Sequence, residues 1–206
     1  MTRVKICGIT SAGDAEAAVR SGADALGFVF VPGTPRHVSA EAAAEIVAAL
    51  PPFVTPVGVF LDQPREEILA CISRCGLQAV QLHGRESPEL SRAMPLPVIK
   101  GLRIRDRESL SPLLCYPARA FLLDSHVEGA PGGTGTAFPW ELAIGLASRA
   151  PIILAGGLTP GNVAEAVRRV RPYGVDVSSG VERAPGRKDH RKLEEFIANV
   201  HSADRA

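Results

Sequence analysis

The chain reads as an α/β protein folded into a single closed (β/α)8 barrel, and three features point there. A β-branched apolar run, a glycine or polar turn and an alanine-rich helical run recur in that order from end to end. The apolar runs do not alternate with polar residues, as expected of parallel strands covered on both faces. Eight such units follow one another within 206 residues, with no linker or low-complexity tract between them. Residues 1–206 are therefore expected to form one domain, near the short end of the barrel size range. An open doubly wound sheet with fewer strands is the alternative that the pattern leaves.

Residues 4–7 are predicted as the first strand, with a helix over 12–21. The second strand spans 25–30, and Ser39 caps a helix reaching about residue 50. Ala42 leaves its capping box incomplete, while Glu41 suits the positive end of the helix dipole. The third strand covers 57–61, followed by a helix over 64–74 that Asp62 is expected to cap. Strand four (79–83) precedes a short helix at 87–93, and strand five (97–102) a weaker one at 106–115. Strand six (120–124) leads through a long loop to a helix at 139–149. Strand seven (152–155) is followed by a helix at 159–170, and strand eight (175–177) by a last helix at 189–200. The polar tail beyond residue 200 is expected to fray.

Composition narrows the function. With 46% hydrophobic residues and a formal net charge of +1, the chain has a large core and no general attraction for nucleic acid or an anionic membrane. No segment approaches the roughly 18 consecutive apolar residues of a membrane span, and the N-terminus lacks a signal-peptide layout. Four cysteines in a chain of this length do not make a disulfide framework, so a reducing, cytoplasmic location is expected. Cys71 and Cys75, one helical turn apart, are read as core-facing thiols rather than metal ligands.

A barrel places its chemistry at the C-terminal ends of strands and in the loops that follow. Those positions hold Cys7, Pro35-Arg36-His37, Asp62, His83, Arg103, Asp124, Gly156-Gly157 and Ser178-Ser179-Gly180. Gly156 and Gly157 end one strand at a helix start, and Ser178, Ser179 and Gly180 end the next. Unencumbered backbone N–H groups at adjacent strand ends suit a phosphate, although such glycines also serve simple tight turns. Gly133, within Gly132-Gly133-Thr134-Gly135, either closes over the same ligand or merely loosens the loop. Asp124 ends the apolar run Phe121-Leu122-Leu123, where partial desolvation suits a carboxyl to act as a general acid; capping the next loop is the plainer role. Arg36 offers a planar fork for a carboxylate or phosphate, unless it is an ordinary surface arginine. His83 either lines the pocket or makes a structural hydrogen bond. Cys7 is the candidate proton-transfer group, with buried packing as the alternative. Lys5, two residues earlier on the same side of the strand, can lend it a cation.

These residues also carry a resemblance. Lys5-Ile6-Cys7-Gly8-Ile9-Thr10, Gly27-Phe28-Val29-Phe30 with Pro35-Arg36, Val57-Gly58-Val59-Phe60 and Gln81-Leu82-His83-Gly84 are similar to phosphoribosylanthranilate isomerases. So are Leu123-Asp124-Ser125, Gly132-Gly133-Thr134-Gly135, Leu154-Ala155-Gly156-Gly157-Leu158 and Val175-Asp176-Val177-Ser178-Ser179-Gly180-Val181-Glu182, in the right order along nearly the whole chain. Thr34 departs from the serine more usual before the Pro-Arg pair.

The resemblance implies a single TIM barrel that rearranges N-(5-phosphoribosyl)anthranilate to its 1-deoxyribulose 5-phosphate derivative in tryptophan biosynthesis, without cofactor or metal. It implies that Asp124 protonates the ribose ring oxygen and that Cys7 removes the C2 proton of the resulting iminium ion. A thiol of ordinary pKa near 8.5 then needs some lowering, or works through a small thiolate fraction. Arg36 is implied to hold the anthranilate carboxylate, and Gly156, Gly157, Ser178, Ser179 and Gly180 the 5′-phosphate. The expected partner is thus a small phosphosugar, with no nucleic acid or membrane, and the chain a monomer or homodimer. Two rivals remain: a related sugar-phosphate isomerase of histidine biosynthesis, whose base at the end of strand one is an aspartate, and a non-catalytic phosphosugar-binding barrel.

Overall fold

A computed structural model describes residues 1–125 and 139–205. Gly133 and the rest of the 132–135 loop lie outside the described residues. Eight parallel strands close into a barrel in sequence order: β1 (Arg3–Cys7), β2 (Ala25–Val29), β3 (Thr55–Phe60), β4 (Ala79–Leu82), β5 (Val98–Ile104), β6 (Ala120–Ser125), β7 (Ile152–Leu154) and β8 (Gly174–Val177). Closure is made by β1 against β8, with Lys5 opposite Asp176 and Ile6 opposite Val177. That rules out the open sheet.

Along each strand successive side chains point to opposite faces. Phe121, Leu123, Ile152 and Leu154 therefore belong to the large cluster between barrel and helices, while Ala120, Leu122, Ile153 and Ala155 fill the barrel itself with Ile99. Both faces being apolar explains why the strands lack alternation in sequence.

The helices begin where short polar side chains can cap them. Ser11 starts α1 (Ala12–Ser21), Ser39 starts α2 (Ala40–Ala48), and Ser87 starts α4 (Pro88–Arg92), each accepting a backbone N–H three residues on. Asp189 does the same for α6 (His190–Ala203). The helix α3 (Arg65–Cys75) differs from expectation, because Pro64 occupies its N-cap with no side-chain bond. Asp62 does not cap it: its carboxylate instead accepts the Arg85 N–H at 2.6 Å, and it takes a left-handed φ of 60°.

Other departures have equally local causes. Residues 139–149 do not form one helix but two 3₁₀ turns, Trp140–Leu142 and Leu146–Ser148, separated by Gly145 at φ 79°. The 106–115 segment is a 3₁₀ helix over Glu108–Leu114 with Pro112 inside it, where a missing N–H opposes a regular α-helix. α5 (Val163–Val170) starts later than expected because Asn162 folds back, accepting the Thr159 N–H and donating to the Gly157 carbonyl. The C-terminus is not frayed at residue 200: α6 continues to Ala203, and Asp204 accepts both the N–H and the hydroxyl of Thr2. After β8 the chain adds a 3₁₀ turn (Ser179–Val181) and a small hairpin of β9 (Glu182–Ala184) and β10 (Arg187–Lys188), which lies over the β1–β2 end of the barrel.

Candidate active site

The C-terminal mouth of the barrel holds a cavity of about 270 Å³. Cys7, Arg36, Gln81, His83, Asp124, Asp176 and Ser178 supply its polar lining, and Val29, Val59, Phe60 and Leu61 much of its apolar wall. Thus Cys7, Arg36, His83, Asp124 and Ser178, far apart in sequence, share one pocket.

Cys7 ends β1 and is 8% exposed. Gly27 on the neighbouring strand makes room for it: a Cβ there would lie 2.9 Å from the Cys7 Sγ and 3.1 Å from the Lys5 Nζ. Lys5, fully inside the barrel, donates to Asp176 Oδ1 at 2.7 Å. Burial pushes the Cys7 thiol up, Lys5 and Lys188 draw it down, Asp176 adds to the rise, and the balance lies above the ordinary value. The expected lowering is therefore not found; the sulfur is a thiol at rest and a strong base once deprotonated. For Lys5, burial opposes the ammonium, but Asp176 and Cys7 outweigh it and the balance is raised.

A second buried cation stitches this wall together. Lys188 Nζ, fully buried, donates to the Cys7 carbonyl at 2.6 Å, the Ser178 carbonyl at 3.2 Å and Glu182 Oε1 at 2.9 Å. Glu182 in turn accepts Arg36 Nε and Nη2 at 2.8 and 2.7 Å, a bidentate fork. One edge of Arg36 is thus held by the protein, while Nη1 has no partner among the described residues. The Arg36 stem crosses Gly8, where a Cβ would sit 2.7 Å from Arg36 Cδ and where φ is 75°, so this turn requires glycine twice over.

Across the mouth, Asp124 near the end of β6 has its Oδ2 3.4 Å from His83 Nε2. His83 Nδ1 lies 3.0 Å from Gln81 Nε2, and the Gln81 Oε1 is buried without a partner among the described residues. With Gln81 donating, the neutral imidazole carries its proton on Nε2 and points it at Asp124. Gly101 leaves the space His83 occupies, and a Cβ on Gly156 would come within 2.7 Å of Asp124 Oδ1.

The ends of β7 and β8 meet beside these groups. Gly156 and Gly157 both take left-handed φ (75° and 66°), and Gly180 packs so closely on the Leu158 carbonyl that no side chain fits. Ser179 and Gly180 lie in the 3₁₀ turn, and the Ser178 hydroxyl is buried without a partner among the described residues. Sequence reasoning missed Asp176, Gln81, Lys188 and Glu182 as site residues. Asp176 carried a usable signal, lying two residues before Ser178 and so on the same side of its strand. Lys188 carried none, since a hairpin brings it in. Among the described residues no group of three or more acidic, histidine or cysteine side chains gathers as a metal site.

As a class, this is a (β/α)8 barrel enzyme with its titratable groups in the C-terminal mouth. The chain belongs to the N-(5′-phosphoribosyl)anthranilate isomerase family, whose family model matches residues 4–199. It is 53% identical to the enzyme of that name from Pelobacter propionicus over 197 residues, covering 96% of this chain and 94% of the relative. Against the Geobacter sulfurreducens enzyme the identity is 54%, with 96% and 97% covered. The crystal structure of phosphoribosyl anthranilate isomerase from Thermotoga maritima superposes with a TM-score of 0.91 at 45% identity, covering 98% of this chain and all of the other. A solved isomerase in complex with reduced 1-(o-carboxyphenylamino)-1-deoxyribulose 5-phosphate matches at TM-score 0.88 and 44% identity over 98% and 100% of the two chains. A further match consists of monomers generated from the dimeric Thermotoga maritima enzyme, at TM-score 0.88 and 42% identity over the same shares.

Proposed function

We propose that this protein, acting as one domain in the reducing cytoplasm, converts N-(5-phosphoribosyl)anthranilate to 1-(2-carboxyphenylamino)-1-deoxyribulose 5-phosphate by acid–base catalysis. The observation that carries the reading is that a buried thiol on β1 and a carboxyl on β6 line one cavity, next to glycine-rich strand ends. Asp124, protonated, gives its proton to the ribose ring oxygen; the ring opens and an iminium ion forms at C1. The iminium acidifies the C2 proton, and the Cys7 thiolate takes it, leaving an enolamine. Loss of the O2 proton and gain of a proton at C1 complete the ketone. Cys7 forms no covalent bond to substrate.

Arg36 meets the anthranilate carboxylate through the guanidinium edge that Glu182 leaves free. Gly156, Gly157, Ser178, Ser179 and Gly180 receive the 5′-phosphate, for which left-handed glycines and an unpartnered hydroxyl are suited. Gly133 is assigned to the same ligand by resemblance alone. His83, proposed from sequence as a substrate contact, serves first to orient Asp124.

For assembly, we propose a homodimer. Phe53 is 96% exposed at the rim of a cavity of about 570 Å³ at the N-terminal mouth, which Val57, Ile99 and Ile153 line with apolar surface. A second copy's Phe53 fits that cavity reciprocally, as a two-fold interface requires. Sedimentation should give twice the chain mass, and Phe53→Glu should give the monomer.

The activity test is loss of anthranilate fluorescence from phosphoribosylanthranilate, with product identified by mass. The parent turns it over, whereas Cys7→Ser and Asp124→Asn lose most turnover. Binding without turnover in the parent favours the non-catalytic barrel, and turnover of the histidine-pathway sugar phosphate alone favours the other rival. Near-normal rates in both variants overturn the mechanism.

A further inference from the structure

Beneath the Cys7 sulfur lies a buried ion pair that the proton transfers above do not use. Lys5 and Asp176 face each other across the β1–β8 seam, are 4% and 8% exposed, and are joined at 2.7 Å. The Lys5 ammonium and the Cys7 sulfur crowd the same space over Gly27, and Cys7 and Asp176 both line the mouth cavity. A buried pair of this kind gives little net stability against an apolar pair of equal volume, so its presence at the base calls for another account.

We propose that Lys5 and Asp176 are opposed positioning residues for the base: the ammonium favours the Cys7 thiolate, the carboxylate favours the thiol, and their pairing holds the sulfur's proton affinity between the two. This rests on the reading of Cys7 as the base. Of the other charged groups around Cys7, Lys188 also favours the thiolate, but it has no opposing partner acting at the sulfur. Lys188 on β10 is committed to the Cys7 carbonyl, Ser178 and Glu182; Arg36 is forked on Glu182; His83 and Asp124 stand across the cavity on β4 and β6. At the sulfur, Lys5 pulls down more strongly than Asp176 pushes up. Opposite shifts from the two members of one ion pair are therefore required at the sulfur, and the kcat/KM limb must move with them, which a merely structural pair does not produce.

The experiment is the pH dependence of Cys7 alkylation by iodoacetamide, resolved by peptide mass, with exposed Cys115 as internal reference. In Lys5→Met the midpoint moves to higher pH, with alkylation near neutrality slowed about tenfold or more. In Asp176→Asn it moves to lower pH, with alkylation sped up by a similar factor. The double variant, which removes both buried charges together, lies above the parent and below Lys5→Met. Lys5→Arg keeps the parent midpoint.

The pH limb of kcat/KM follows in each case. Shifts in the same direction for both single variants, or none, overturn the proposal. Should a single variant fail to fold, a double-variant midpoint at or below the parent's does so. If the alkylation midpoints diverge as stated while kcat/KM does not follow, the pair stands and Cys7 is not the base.

Discussion

The two walls of the barrel mouth are built on different principles. On the β1–β8 side, Cys7 is surrounded by full charges, with Lys5, Asp176, Lys188 and Glu182 buried and Arg36 half-buried, each paired within the barrel or the β9–β10 hairpin. On the β4–β6 side, Asp124 is backed by a neutral chain, Gln81 to His83, with Gly101 and Gly156 keeping space open. The difference fits the tasks proposed for the two groups. A base that is a neutral thiol at rest needs surroundings that tolerate a new negative charge, and fixed cations supply them. An acid that must give up its proton and recover it is served by a neighbour whose oriented N–H steadies the carboxylate left behind. The charged wall is expensive to desolvate and damaging to break; the neutral wall is cheap and adjustable.

The largest effects test the two walls as partners. Cys7→Ser and Asp124→Asn should each lower kcat on the order of 10³-fold, the span general acid–base groups command, as read by anthranilate fluorescence. Equal, small losses would dissolve the contrast. Stability then separates the walls. Lys188→Met leaves Glu182 to Arg36 alone and unpairs the Cys7 and Ser178 carbonyls, and should cost about 3–5 kcal/mol in urea unfolding. Gln81→Leu only unpairs the His83 ring and should cost roughly 1–3 kcal/mol.

Acid titration carries a sign of its own. At Glu182 burial favours the protonated form, but Arg36 and Lys188 outweigh it and hold the carboxyl below its ordinary range; at Glu86 burial is likewise outweighed, by Lys100 and backbone donors. A folded-state pKa below the unfolded one contributes stability that is present above the unfolded value, about 4.3, and is lost as pH falls through the folded value. Stability should therefore drop below about pH 4 in the parent, and less so in Glu182→Gln, measured by thermal unfolding across pH. The smallest effect is a control: Glu16→Ala removes an exposed i,i+4 pair with Arg20 and should change stability by less than about 0.5 kcal/mol.

The neutral wall was easier to read from sequence than the charged one. Asp124 and His83 each end an apolar strand, so the barrel rule alone brings them to the mouth, and Cys7 is found the same way. Asp176 shares a strand face with Ser178, but its pairing with Lys5 is legible only once the two strands are known to be neighbours. That needs closure of β1 on β8. Lys188 reaches Cys7 through a hairpin with no strand–helix rhythm. Asp62 misled because its residue type and place before a helix suit a cap, while the loop after β4 claims its carboxylate. The 139–149 segment misled because an apolar period persists through Gly145, whose left-handed backbone ends the helix. Strand–helix order was legible because burial on both faces leaves a strong pattern; side-chain partnerships across the barrel leave none.

The division of labour between the walls is tested most directly with substrate deuterated at C2. Slowing the base step makes C2 proton removal rate-limiting, whereas slowing the acid step hides it behind ring opening. The isotope effect on kcat/KM should therefore rise well above the parent's in Cys7→Ser and fall toward unity in Asp124→Asn. The reverse pattern, or no change in either variant, would contradict the assignment of base to Cys7 and acid to Asp124.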